Sequence, residues 1–299
     1  MMNLSEQISN IIFSRSQELY FLLQFVRDID TYILHRPQQR ANDIFAGVPD
    51  RIKSELMQYF GEFIEFGKKV AKEVEESKPT EGKRAWVFKP EKSYPREVQQ
   101  HLIPLLVALY RPIRYPDLLY NMALTHAIAI FESFLSDFLV AIFTLRPNTL
   151  KSANTATYED ILSFSSMKQL INQLANSRAN KILSGNIYEV ADDLKKLFSI
   201  DISGFDKFAI IHEAFCRRHI IVHNDSITDR KYCEKIPSSQ IGVRLSTDFQ
   251  YIETLFTTIG QFIDYLDGCF SRKMRYKRNP IVNQLLNPPD SVGGLLDSS

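Results

Sequence analysis

Residues 117–145, "DLLYNMALTHAIAIFESFLSDFLVAIFTL", place apolar side chains every three or four positions, with Pro116 and Pro147 at the two ends. The spacing predicts a helix of about eight turns that starts and stops at those prolines. Its polar positions are so few that other elements must cover it, which makes it the central helix of an all-α core.

The rest of the chain has the same period. Leu4, Ile8, Ile11, Leu19, Leu22, Val26, Ile29 and Ile33 form one stripe, and Ile52, Leu56, Tyr59, Phe63, Phe66, Val70 and Val74 form a second. A connection holding Pro37, Gly47 and Pro49 separates them, so residues 1–76 read as an N-terminal helical hairpin. Between 77 and 116 six prolines interrupt every run, and this interval reads as a Pro-rich linker. Further helices are expected near 158–176, 187–198, 205–222 and 248–270, with a short extended excursion in "KYCEKIPSSQIGVRLST". The expected organisation is therefore a hairpin at 1–76, a linker at 77–116, a helical bundle at 117–272 and a basic, disordered tail at 273–299.

Charge and cysteine content narrow the function. Thirty-six basic residues against thirty-five acidic ones leave no global field to draw in nucleic acid or an anionic membrane, so any phosphate recognition has to be local. Three cysteines without C-x-x-C spacing fit neither a disulfide framework nor a zinc ribbon. The opening "MMNLSEQISNII" has no basic segment followed by an apolar one, as a secretory signal would, and a soluble cytoplasmic protein without membrane partners is expected.

The stretch "FCRRHIIVHNDS", residues 215–226, sets two arginines and two histidines beside three β-branched apolar residues. His212, Cys216, His219 and His223 follow at spacings of four, three and four, on one stripe of a helix. Residues 212 and 223 lie about 16 Å apart along its axis, so the four side chains cannot share one ion. Only an i, i+4 pair such as His219 and His223 could, and no H-E-x-x-H motif or second Cys/His cluster completes the set, so no metal or other cofactor is expected. On a helical wheel Phe208, Ile211, Phe215 and Val222 make the apolar face, His212 and His219 fall near its middle, and Arg218 and His223 lie at its edges. Arg217 points to the opposite side. Ile220 and Ile221 are left exposed, as they would be on a helix that meets a second copy of itself.

"RRHIIVHN" resembles the R-x4-6-H signature of the HEPN superfamily (higher eukaryote and prokaryote nucleotide-binding), and "HAIAIFESFLSDFL" is similar to that family's long early helix with its embedded acid, here Glu132. The resemblance spans residues 117–272, about half the chain, and is nearest to stand-alone bacterial toxin and phage-defence domains. It implies a HEPN-like helical bundle and a metal-independent endoribonuclease that works as a homodimer with a composite site. Arg218 and His223 would be catalytic, with His219, Asn224 and Glu132 binding substrate or supporting them. RNA is the implied partner, with an antitoxin or defence-system protein as a further one. Histidine exchanges protons near neutrality, and arginine offers a planar fork to a phosphate gaining charge. His219 either binds phosphate or orients Arg218, or else is buried, Asn224 either binds phosphate or caps the helix, and Glu132 either holds Arg218 or meets a lysine or water. "RKMRYKR", residues 272–278, suits RNA backbone contact or a solvated helix end equally. The alternative is a non-catalytic HEPN module that dimerises or binds another protein.

Overall fold

The computed structural model describes residues 3–35, 37–76, 88–150 and 164–279. It is 79% helical and, among the described residues, has no strand, so the fold is all-α. In chain order the helices are α1 (Leu4–His35), α2 (Pro37–Ala46), α3 (Asp50–Glu76), α4 (Arg96–Leu145), α5 (Met167–Leu183), α6 (Ile187–Phe198), α7 (Phe208–His223), α8 (Arg230–Lys235) and α9 (Phe249–Met274). The chain forms two compact units, one of residues 1–26 with 120–299 and the other of residues 27–119.

Several boundaries differ from those expected. The connection between the two N-terminal stripes contains α2, and the expected hairpin of 1–76 is shared between the two units. A stripe marks the face that is buried, not the element that buries it. The core helix begins at Arg96, not after Pro116, and runs through Pro104, Pro112 and Pro116. Each internal proline forfeits a ladder bond at roughly 3 kcal/mol. Val98, Leu102 and Leu105 are buried with Val48, Ile52, Leu56 and Tyr94 in the unit of 27–119, and apolar burial of about 1.5–3 kcal/mol per large side chain offsets that loss. Residues 96–116 of the expected linker are therefore helical, while 77–87 lie outside the described residues. So does the start of the helix expected at 158–176. Its described part begins at Met167, where the Ser166 hydroxyl accepts the Gln169 amide.

In the unit of 1–26 and 120–299, the second half of α4 buries Leu124, Ile128, Phe131, Phe134, Phe138 and Ile142 at helical spacing. Phe131 meets Phe262 of α9 edge-on at 5.5 Å and Phe215 of α7 at 6.1 Å, and Phe138 meets Phe270 at 5.0 Å. These contacts fix α7 and α9 against α4. Among the described residues, 115–145 are long and apolar enough to cross a membrane, yet 56% of their most apolar window is buried inside the protein, as in a core helix.

After α7 the chain reverses through Asp225 (φ 50°) and Ser226 (φ 61°), two non-glycine residues in the left-handed region. The reversal leads into the expected excursion, which begins as helix: Asp229 accepts the Tyr232 amide at 2.7 Å and starts α8. Its extended part is a single antiparallel bridge between Ile227 and Arg244. The Thr228 amide donates to the Val243 carbonyl at 2.9 Å, and the buried Thr228 hydroxyl to the same oxygen at 3.0 Å. At the other end, residues 275–279 fold back on α9. The Tyr276 hydroxyl donates to Asp267 at 2.6 Å, and Arg278 Nε donates to the same carboxylate at 2.8 Å. Tyr276 and Arg278 thus lie in a local network, not on an open basic surface. Residues 280–299 of the expected tail lie outside the described residues.

Candidate functional site

The motif helix α7 is buried on two sides. Phe208, Ile211 and Ala214 face the core, while Cys216 and Ile220 are covered by Tyr232, Ile236 and Leu245 from the excursion. This second cover shifts the polar residues from their expected positions. Ile220 is only 1% exposed, so it belongs to the chain's own interior and not to an open interface; Ile221 is half-buried. Val222, expected in the core, is 53% exposed, and His219, expected mid-face, is exposed as well.

Arg217 shows the largest departure. Its side chain, expected to point into solvent, is 12% exposed beside Glu213 at 20%. Its Nε donates to Glu213 at 2.8 Å, its Nη1 donates to the Ser246 carbonyl at 2.9 Å, and its guanidinium lies 4.3 Å from the centre of the Tyr251 ring. The Tyr232 and Tyr251 hydroxyls each donate to Glu213 at 2.6 Å. Burial, with the adjacent Glu213 carboxylate, pushes both phenols well above their usual range, so they stay protonated donors. This network joins α7 to α8, to the excursion and to α9. Its one sequence signal is the Glu213, Arg217 spacing of four, a common helix-surface pair.

Arg218, one residue on, turns toward an open cleft of about 840 Å³ lined by Glu132, His212, Phe215, Arg218 and His219 among others. Arg218 Nη1 is 3.8 Å from Glu132 Oε1, with the two side chains 39% and 43% exposed. That distance is beyond hydrogen-bond reach. Arg218 Nε is buried without a hydrogen-bond partner among the described residues, and Nη1 has Glu132 only at 3.8 Å, so it is the exposed Nη end that keeps donors for an incoming anion.

His219 lies in the same cleft, and its ring stands 4.8 Å from that of His223. His223 is exposed and ends α7; it is not one of the cleft-lining residues. Because the helix continues through residue 223, Arg218 and His223 remain about 140° apart, and one chain does not aim both at one point. Asn224 is the cap: its amide donates to the Ile220 carbonyl at 2.9 Å and its side chain to the Ile227 carbonyl.

On the cleft wall the Cys216 thiol lies 3.6 Å from His212 Nε2, and the His212 ring packs edge-on against Tyr188 at 4.6 Å. Burial lowers the His212 pKa and raises that of Cys216, which keeps the pair uncharged. Among the described residues no group of three or more His, Cys, Asp or Glu side chains is placed to hold a metal ion. Of the residues expected at the site, Glu132, Arg218 and His219 therefore share one cleft, His223 stands beside His219, and Asn224 serves the backbone. Comparison of the chain with protein-family models, with curated proteins and with solved structures finds no match.

Proposed function

We propose that the chain is a metal-independent endoribonuclease that cleaves RNA by attack of a ribose 2'-oxygen on the adjacent phosphorus, acting as a homodimer in a toxin or phage-defence setting. The observation that carries the reading is the cleft in which Arg218, with its unpaired Nε, stands beside His219 and its neighbour His223. In the reaction a histidine takes the 2'-OH proton as the O2'–P bond forms. The P–O5' bond breaks, and a second histidine protonates the leaving 5'-oxygen, giving a 2',3'-cyclic phosphate and a 5'-hydroxyl. Arg218 stabilises the charge that builds on the phosphoryl oxygens. The 140° between Arg218 and His223 is why the reading needs two chains: the imidazole of one copy meets the guanidinium of the other.

A second reading, a non-catalytic module that binds another protein, is favoured by one feature. A groove of about 550 Å³ between α1 and α4 is lined by Phe21, Leu22, Phe25 and Ile130, and Phe21 and Phe25 are 64% and 55% exposed.

The test is cleavage of total RNA by Arg218→Ala and His223→Ala proteins with excess chelator present. Each should lose roughly two or more orders of magnitude in rate, the scale of acid-base and electrostatic catalysis, with unfolding midpoints close to wild type. Full cleavage by a well-folded His223→Ala protein would sink the ribonuclease reading, and loss of wild-type cleavage in chelator would overturn its metal independence.

A further inference from the structure

The cleft holds more positive charge than Arg218 alone. Lys231 and Lys235 line it from α8, four residues apart and therefore on one side of that short helix. Neither forms an ion pair among the described residues. Glu234 is paired with Arg230 at 3.0 Å, while Asp229 lines the cleft and accepts the Tyr232 amide through one oxygen at 2.7 Å, so the three basic side chains Arg218, Lys231 and Lys235 face the two acids Glu132 and Asp229. Lys235 lines the cleft together with His212 and Cys216, and its charge opposes protonation of the His212 ring. Leu135, Leu183, Val190 and Phe215 add apolar side chains to the same cleft. A volume of about 840 Å³ falls among pockets of roughly 300–1,000 Å³ that enclose a small ligand.

We infer that Lys231 and Lys235 form a second phosphate subsite of this cleft, so that it takes one nucleotide with a phosphate at Arg218 and a neighbouring phosphate at the two lysines. The apolar side chains of the cleft receive the base or sugar. The inference rests on the ribonuclease reading for the identity of the ligand as a nucleic-acid strand. It deepens that reading by making Lys231 and Lys235 substrate-binding residues that require phosphates on both sides of one nucleotide. The network at Glu213 acts on this subsite indirectly: Tyr232, which also lines the cleft, is tied to Glu213 and holds α8 over the motif helix.

The test uses 2'-deoxyadenosine 3',5'-bisphosphate, which has no 2'-hydroxyl and cannot be cleaved, and 2'-deoxyadenosine 5'-monophosphate, both titrated calorimetrically into the full chain. Wild type should bind the bisphosphate at least about tenfold more tightly, the effect of one further charge-assisted contact. The Lys231→Gln/Lys235→Gln protein should bind the two ligands within about twofold of each other, while Lys196→Gln, on α6 and not among the cleft-lining residues, should keep the wild-type preference. Equal affinity of wild type for the two ligands, or a preference that survives in the double variant, overturns the subsite. So does an oligoglutamate of matched charge that binds as tightly as the bisphosphate, which would assign the cleft to acidic protein segments. RNA cleavage is read separately. A bisphosphate preference without cleavage keeps the subsite and removes the ribonuclease reading, whereas cleavage without the preference does the reverse.

Discussion

Arg217→Ala should destabilise the protein by about 3 kcal/mol, whereas Arg218→Ala, one position further, should cost under about 1 kcal/mol. The contrast follows from environment alone. Arg217 is 12% exposed, and removing it leaves the Glu213 carboxylate without its cation. Breaking a buried pair from one side costs roughly 3–5 kcal/mol. The lower end applies because the Tyr232 and Tyr251 hydroxyls remain on Glu213, each at 2.6 Å. Arg218 is 39% exposed with a carboxylate only at 3.8 Å, which is the weak surface case. The assay is urea unfolding followed by circular dichroism, with each variant checked for a single transition because the chain has two compact units. A double-mutant cycle with Glu213→Gln isolates the pair: the Glu213→Gln/Arg217→Ala protein should be less destabilised than the sum of the single variants, since neither partner is left charged and stranded. Equal midpoints for Arg217→Ala and Arg218→Ala would refute the burial argument, and a larger loss for Arg218→Ala would reverse the assignment of the two side chains.

Two further outcomes concern Asp267, which is buried, and His212, which is half-buried in the wall of the cleft. Asp267→Ala should cost about 3 kcal/mol, because a carboxylate only 3% exposed accepts from both Tyr276 and Arg278, and trypsin should then cut faster at Arg275 and Lys277; unchanged cleavage and stability would show that the fold-back is not held by this residue. For His212 the sign runs toward acid instability: burial depresses its folded-state pKa below the ordinary value of about 6.5, so its contribution is intact above that pH and is lost as pH falls through the folded value. Lys235 adds to the depression and Glu213 opposes it, so wild type should lose melting temperature on acidification more steeply than His212→Phe, and parallel curves would remove His212 as the cause.

The helices most legible in the sequence are those whose ends carry their own chemistry. Residues 187–198 were expected as a helix and are α6, because Asn186 and Glu189 form a reciprocal capping box and Ile187, Val190, Ala191 and Leu194 give the buried stripe. Asp248 likewise starts α9 by accepting the Tyr251 amide at 2.7 Å. The start of α4 was not legible for the opposite reason. Proline signals a helix end through a local penalty, and only the burial of Val98, Leu102 and Leu105 by residues some 40 to 60 positions earlier overrides it.

The placement of the motif side chains was not legible in the sequence, and Arg217 and Arg218 show why. The two are 100° apart on one helix, and a wheel drawn from α7 alone assigns the inward direction to its most apolar arc. That arc is correct for Phe208 and Ile211, which meet the core, and fails at the C-terminal end, where the covering element is residues 227–245. Asn224, Asp225 and Ser226 announce a turn by composition, but the side of α7 on which the chain returns is set by two left-handed residues, at φ 50° and 61°. The return lays Tyr232 and Ser246 over Glu213 and Arg217 and leaves Arg218 beside the open cleft. Which arginine is available to an anion is therefore decided by the turn after the motif and not by the motif, so a spacing of arginine and histidine cannot by itself locate such a site.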